Sequence, residues 1–349
     1  MSATVAARPF GSLEGGADLL EVRDLVVRYP VRRGLMRALR REPRKFVSAV
    51  DGVSLSVRPG EMLAIVGESG CGKTSTAQAI LRMVETTSGV IEVGGRDITH
   101  LGAKDLRPIR RTMQMVYQDP YESLDPRFRV RRAVEEPMQI HGIGGTKGER
   151  ERLVVEALER VELSPADLYV DRYPHELSGG QRQRVAIAAS LVLHPKLLLA
   201  DEPVSMLDVS VRAGILTLLD HLRRDGDMGI VMITHDLSTA AHFADRIAVM
   251  YLGRIVEEGS ARQVIRDPQH PYTKALMSVV PKRDPRERTE PQILQGETPN
   301  PIDLPTGCRF HPRCPVAEER CTRIDPELRI ARGTTGEAHR AACVLVPPG

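Results

Sequence analysis

The run Gly67-Glu68-Ser69-Gly70-Cys71-Gly72-Lys73-Thr74-Ser75 holds the densest set of residues with chemical potential in this chain. From Gly67 to Thr74 it fits the phosphate-loop pattern, and it lies between an apolar run and a helical stretch, as that pattern requires. Polyphosphate carries several negative charges, so a site for it needs many short donors and little side-chain bulk. Gly67, Gly70 and Gly72 let backbone N–H groups turn inward around such charges. A helix beginning near Lys73 adds about half a positive charge at its N-terminus. Lys73 is spaced to reach β- and γ-phosphates, and the Thr74 hydroxyl to ligate Mg²⁺. Cys71 stands where a small side chain fits, and nothing around it argues for a redox role. The plain alternative, a glycine-rich turn that binds nothing, is disfavoured by the complete pattern in its strand–helix context.

A second group of residues follows short apolar runs. Leu197-Leu198-Leu199-Ala200-Asp201-Glu202 predicts a strand ending in paired acids. A carboxylate at the C-terminal edge of a sheet can hold Mg²⁺ directly or through water, so Asp201 takes that role. Glu202 is then placed to polarise an attacking water as general base. His235, in Ile233-Thr234-His235-Asp236, and Gln118, after Met115-Val116-Tyr117, end apolar runs in the same manner. A lone histidine in such a place is more often structural than catalytic. A glutamine there can reach metal or water with either end of its amide. Each signal is weak singly, and they gain weight by following a phosphate loop.

The elements that must position these residues alternate. Strands are predicted over Leu19–Tyr29, Val47–Val57 and Met62–Val66, and again at Leu197–Asp201, Ile230–Thr234 and Ile247–Tyr251. Lys73–Val84 has a helical distribution of Ala, Ile, Leu and Met. From Asp125 to His194 the signals are helical, with Arg131–Gln139 and Gly148–Val161 charged and helix-like. The expected fold is α/β, strand-rich at its N-terminal end, carrying a helical subdomain at about 125–194. Beyond about Gly259 prolines multiply, predicting a loop-rich appendage with short helices over 260–349. Residues 1–18 read as a flexible N-terminus.

The chain of 349 residues is 41% hydrophobic and 27% charged, ordinary for a soluble globular protein. No run approaches the ~18 apolar residues needed to span a bilayer. The N-terminus, Met1 to Gly16, lacks the features of a secretory signal. A net charge of +3 argues against a dedicated nucleic-acid binder. The charge is uneven: between Arg28 and Lys45 eight cations face only Glu42, a net +7, leaving about −4 for the rest. That segment reads as a solvated loop, or as a contact with anionic lipid or an acidic partner.

Leu177-Ser178-Gly179-Gly180-Gln181 opens the apolar helix Arg182–Leu193 and makes a second anion-ready helix N-terminus. The order phosphate loop, Gln118, Leu-Ser-Gly-Gly-Gln, acidic strand and His235 resembles the nucleotide-binding subunit of ABC transporters, over about Leu19 to Gly259. The resemblance implies a P-loop NTPase core that binds ATP with Mg²⁺ and works as a head-to-tail pair. ATP would lie between the phosphate loop of one subunit and the Ser178-Gly179-Gly180 segment of the other. By position, Tyr29 would stack on adenine, although an aromatic at a strand end is often only packing. Gln118 would touch Mg²⁺ and water, His235 the γ-phosphate, and Asp208 the dimer interface. Met206 departs from the small residue usual at its position, which weakens the expected interface geometry.

Further stretches resemble the dipeptide, oligopeptide and nickel importers. They are Gln118–Pro126, His270-Pro271-Tyr272-Thr273-Lys274-Ala275-Leu276, and Gly307-Cys308-Arg309-Phe310-His311-Pro312-Arg313-Cys314-Pro315. The basic loop after Tyr29 resembles the second of the two ATPases that such importers often encode. The resemblance implies an ATPase partner, a second homologous subunit or the chain itself. It further implies two membrane permeases, an extracytoplasmic substrate-binding protein, and a peripheral place on the cytoplasmic membrane face. Import of nickel or another small solute, and a non-transport ABC ATPase, are the other readings. Against the last, no long coiled coil separates the motifs, and the motif set occurs once.

Cys308, Cys314, Cys321 and Cys343 are separated by five, six and 21 residues. In a reducing compartment such clustering suggests a metal more than disulfides. The gaps match neither a zinc ribbon nor a ferredoxin. A [4Fe–4S] cluster, favoured by some relatives among peptide importers, zinc and free thiols all stay open.

Overall fold

The computed structural model describes residues 18–31, 44–280, 292–331, 338–347 and 349. Most of the basic segment, Arg32 to Arg41 included, and the N-terminal stretch therefore lie outside the described residues. Two sheets carry the fold. The smaller is antiparallel, order β2-β1-β4-β5, from β1 (Leu20–Pro30), β2 (Phe46–Val57), β4 (Ser88–Val93) and β5 (Arg96–Asp97). The larger runs β11-β12-β10-β9-β3-β8-β7-β6. Its centre is parallel: β9 (Arg246–Tyr251), β3 (Met62–Val66), β8 (Gly229–Thr234), β7 (Leu197–Asp201) and β6 (Met113–Val116). Antiparallel β10 (Arg254–Ser260), β12 (Arg340–Ala341) and β11 (Arg329–Ile330) extend one edge.

Strands β3, β7 and β8 are buried at every position, which is why they read as unbroken apolar runs rather than alternating ones. The period of two still sorts their side chains. Met62, Ala64, Val66, Leu198 and Ala200 face a core shared with the helical part, including Val185, Ala188, Leu191 and Leu219. Leu63, Ile65, Leu197 and Leu199 face the other core, against Ala77, Ile80 and the small sheet's Leu20, Val22 and Ile91.

Between β6 and β7 every regular element is helical, including Val130–His141, Lys147–Arg160 and Gly179–Leu191. Thr146 starts the second of these by accepting from Glu149 N–H at 3.2 Å. The Gly179–Leu191 helix begins three residues before the predicted Arg182, because Ser178 caps it. Conversely, the helix from Lys73 ends at Ile80 rather than Val84, and Arg82 turns to φ 55°. After Gly259 come the short helices Ala261–Arg266 and Pro271–Ser278, as expected, together with β11 and β12, which the loop-rich reading did not include.

Candidate functional site

The parallel arrangement collects the chemistry at one edge. Gly67 follows β3, Glu202 follows β7, His235 follows β8 and Gln118 lies just beyond β6, so all four sit past the carboxyl ends of adjacent strands. A cleft of about 660 Å³ opens there. Tyr29, Lys73, Thr74, Gln118, Glu202 and His235 all line it, together with Ser69, Gly70, Gly72 and Ser75. Pro301 lines it too. It is one proline among many in the tail, and no type or spacing singles it out.

The loop is shaped by close approach. A Cβ on Gly67 would lie 2.2 Å from the Met250 carbonyl oxygen, and one on Gly72 would lie 2.1 Å from that of Ala49. Gly72 also has φ 110° and ends the loop where the Lys73 helix begins. Buried Lys73 donates from Nζ to the carbonyls of Gly67 (2.8 Å) and Glu68 (3.0 Å), stretching its ammonium along the loop's rim. Cys71 is buried beneath, and burial pushes its thiol above the usual range, a structural setting. The Tyr29 hydroxyl reaches Ser75 Oγ at 3.5 Å, which tethers the half-buried ring to the rim.

Asp201 is buried, and its Oδ1 has no hydrogen-bond partner among the described residues. Burial, reinforced by neighbouring Glu202, pushes its carboxyl above the usual range against the pull of the Thr74 hydroxyl and the Lys73 charge. An acceptor buried without a partner is costly unless a cation or water takes it. Glu202 sits at φ 44°, an unfavourable value for a side chain of its size. Its Oε2 accepts from Gln118 Nε2 at 3.2 Å, and its Oε1 lies 3.1 Å from His235 Nδ1. Three residues from three strand ends thus meet at one carboxylate.

The Ser178–Gln181 segment is no part of this cleft's lining. Ser178 and Gln181 form a reciprocal cap, Ser178 N–H donating to Gln181 Oε1 at 3.0 Å and Gln181 N–H to Ser178 Oγ at 3.3 Å. Gly180 packs against Val211, where a Cβ would come within 2.3 Å of its methyl. Asp208 caps the Val209–Gly226 helix, accepting from Val211 N–H at 3.1 Å and from Ser210 Oγ at 2.7 Å; these bonds hold its carboxyl below the usual range. Sequence reasoning missed this local role. Met206 beside it is 60% exposed.

The four tail cysteines are free thiols near one another. Burial, then the neighbouring sulfurs, pushes Cys308 up to about 11. Among the described residues no group of three or more His, Cys, Asp or Glu is set out to hold a metal ion. The arrangement therefore gives neither the [4Fe–4S] nor the zinc expectation any support.

Known proteins share both parts of this layout. The family described as "ABC transporter" matches residues 50–205, and that described as "Oligopeptide/dipeptide transporter, C-terminal region" matches residues 256–321. The oligopeptide transport ATP-binding protein AppF of Bacillus subtilis is 44% identical, over 94% of this chain and 97% of its own length. OppF of Salmonella typhimurium, also an oligopeptide transport ATP-binding protein, is 42% identical over 95% and 97%. Among solved structures, the dimeric ATP-binding cassette MJ0796 bound to ADP and Pi superposes with a TM-score of 0.60 at 29% identity, over 70% of this chain and 99% of that one.

Proposed function

Because this chain belongs to the ATP-binding subunits of ABC transporters, in the oligopeptide and dipeptide group, we propose that it hydrolyses ATP in the Tyr29–His235 cleft to drive peptide import. The observation that carries this reading is the meeting of Gln118, Glu202 and His235 beside a phosphate loop.

The Tyr29 ring offers a face for the adenine base. The loop's N–H groups, the N-terminus of the Lys73 helix and the Lys73 ammonium hold the phosphates. Thr74, Asp201 and Gln118 form a hard oxygen donor set suited to Mg²⁺, and the unpartnered Oδ1 of Asp201 supports that fit. When bound, Mg²⁺ neutralises charge on the β- and γ-phosphoryl oxygens. Glu202 takes a proton from the water that attacks the γ-phosphorus. The bond from phosphorus to the bridging oxygen breaks, and ADP and phosphate are released. Gln118 orients that water, and the His235 imidazole holds a γ-phosphate oxygen.

Ser178, Gly179, Gly180 and Gln181 cap a helix outside this cleft, which suits delivery to the ATP of a head-to-tail partner, with Asp208 at the interface between them. That partner is a second homologous ATPase subunit or another copy of this chain. Two membrane permeases and an extracytoplasmic binding protein complete the complex, and the chain works peripherally on the cytoplasmic face. Among the described residues no helix is long and apolar enough to cross a membrane, so the permeases supply the passage. A metal at the cysteines is no part of this reading.

The test compares cells carrying the wild-type chain with cells carrying Glu202→Gln for uptake of labelled di- and oligopeptides, with nickel as control. Loss of peptide uptake in the mutant alone is the expected result. Unchanged peptide uptake with reduced nickel uptake replaces the substrate, and no change in either overturns the import reading.

A further inference from the structure

Glu68, second residue of the phosphate loop, has every polar group engaged by protein. Its N–H donates to the Tyr272 hydroxyl at 2.9 Å, and its carbonyl accepts from Lys73 at 3.0 Å. Its carboxylate accepts from both terminal nitrogens of Arg313, at 2.7 and 3.1 Å, and from Thr298 Oγ1 at 2.8 Å. Three of these four partners lie in the segment after residue 260, where none of the nucleotide-site motifs fall. The Arg313 side chain is only 8% exposed, so its fork meets the carboxylate largely out of water.

The segment carrying Arg313 is itself anchored. Phe310 is buried, with its ring centroid 5.3 Å from that of Tyr251 and 5.4 Å from that of Tyr272. Arg309 donates to the Leu252 carbonyl at 2.5 Å and pairs with Asp51. The adjoining Gly253 N–H in turn donates to the Cys71 carbonyl at 2.8 Å, from behind the phosphate loop. Glu68 is absent from the cleft lining, unlike Ser69, Gly70 and Lys73, and its N–H and carboxylate are already taken by Tyr272, Arg313 and Thr298. A carboxylate there, left unpaired, would repel polyphosphate through protein rather than water.

We propose that Arg313 is a positioning residue for nucleotide binding. Through Glu68 it holds the phosphate loop in its binding shape and cancels the loop's own negative charge. The proposal rests on the ATP reading above. A cradle ordered in advance spares the ligand the cost of ordering it, so the effect falls on affinity. Glu202, Gln118 and His235 stand on other strand ends, so turnover at saturating ATP is left nearly unchanged.

The test uses the full chain, titrated with a fluorescent ATP analogue and Mg²⁺, alongside steady-state ATPase assays. Arg313→Ala is expected to weaken binding roughly tenfold, equivalent to about 1.4 kcal/mol, and to raise KM for ATP while kcat holds. Adding Glu68→Gln to Arg313→Ala is expected to restore much of the affinity, because the stranded carboxylate is gone. Arg313→Lys, which keeps the charge and loses the fork, is expected to fall between and serves if the alanine variant does not fold. Wild-type affinity in both Arg313 variants overturns the proposal. So does a loss that Glu68→Gln leaves unrelieved, or a fall in kcat with KM unchanged. Lys73→Ala separates the two readings: if it binds the analogue as the wild type does, the ATP site itself is misassigned.

Discussion

His235 Nδ1 lies 3.1 Å from Oε1 of Glu202, and Gln118 Nε2 lies 3.2 Å from the other oxygen of the same carboxylate. Glu202→Gln should bind ATP with near wild-type affinity and lose ~10³-fold in turnover, as expected for removal of a general base. His235→Ala should lose ~10²-fold. Because the two act on one water and one phosphoryl group, the double variant should lose little more than Glu202→Gln alone. Single-turnover hydrolysis in the assembled transporter measures all three. Multiplying losses would mean that the contact is not a functional unit.

Tyr29 touches the rim of the cleft through its hydroxyl, at 3.5 Å from Ser75. If its role is a face for the base, Tyr29→Phe should keep the ATP KM within about twofold, while Tyr29→Ala should raise it ~10-fold. Equal losses in both variants would assign the effect to the hydroxyl bond instead.

The parts legible in the sequence were those written in contiguous residues. Leu197–Asp201 and Met62–Val66 announce themselves because a doubly buried strand has no polar face to keep. The phosphate loop announces itself through glycines that Met250 and Ala49 leave no room to replace. β10 was missed because Glu257 and Glu258 look like a strand's end. Both are buried, Glu257 held by His339 at 2.7 Å and by the N–H groups of Gln269 and His270, Glu258 by Arg340 at 2.8 Å and by Arg246. His339 and Arg340 lie 82 residues further along the chain, so no local pattern foretells them. The role of Arg313 was opaque for the same reason: a bond to Glu68 spanning 245 residues leaves no periodicity. Gln118, Glu202 and His235 could be proposed as partners only because the resemblance supplied an order; their strands' adjacency is tertiary.

Gly72 and Gly70 both have positive φ, at 110° and 78°, yet their surroundings differ. A Cβ on Gly72 meets the Ala49 carbonyl at 2.1 Å, whereas one on Gly70 meets nothing within 4 Å. Gly70→Ala should cost only the left-handed strain, about 1–2 kcal/mol. Gly72→Ala adds displacement of backbone and should exceed roughly 3 kcal/mol. Urea unfolding of the two variants gives the order directly, and comparable costs would contradict the packing described for the loop.

Two carboxylates, Glu68 in the phosphate loop and Asp51 in β2, hold arginines of the tail, and their titration gives a pH signature. Burial pushes Glu68 up, but its bonds to Arg313 and Thr298, with the charges of Arg313 and Lys73, outweigh it and leave the carboxyl below its usual 4.5. Asp51 is likewise pushed up by burial and drawn down further by Arg309 and Arg254, ending below its usual 3.8. In the unfolded chain both groups regain ordinary values, so on acidification the unfolded state takes up protons first. The stability they contribute is therefore complete above the unfolded values and is lost as pH falls through the folded ones. The urea midpoint should drop more steeply below about pH 4.5 in the wild type than in Glu68→Gln/Arg313→Met, which keeps Asp51 but has no Glu68 carboxylate to protonate. Identical slopes would show that the Glu68–Arg313 pair adds nothing to folding. The pair would then bear on the loop alone, and only the nucleotide titration would report it.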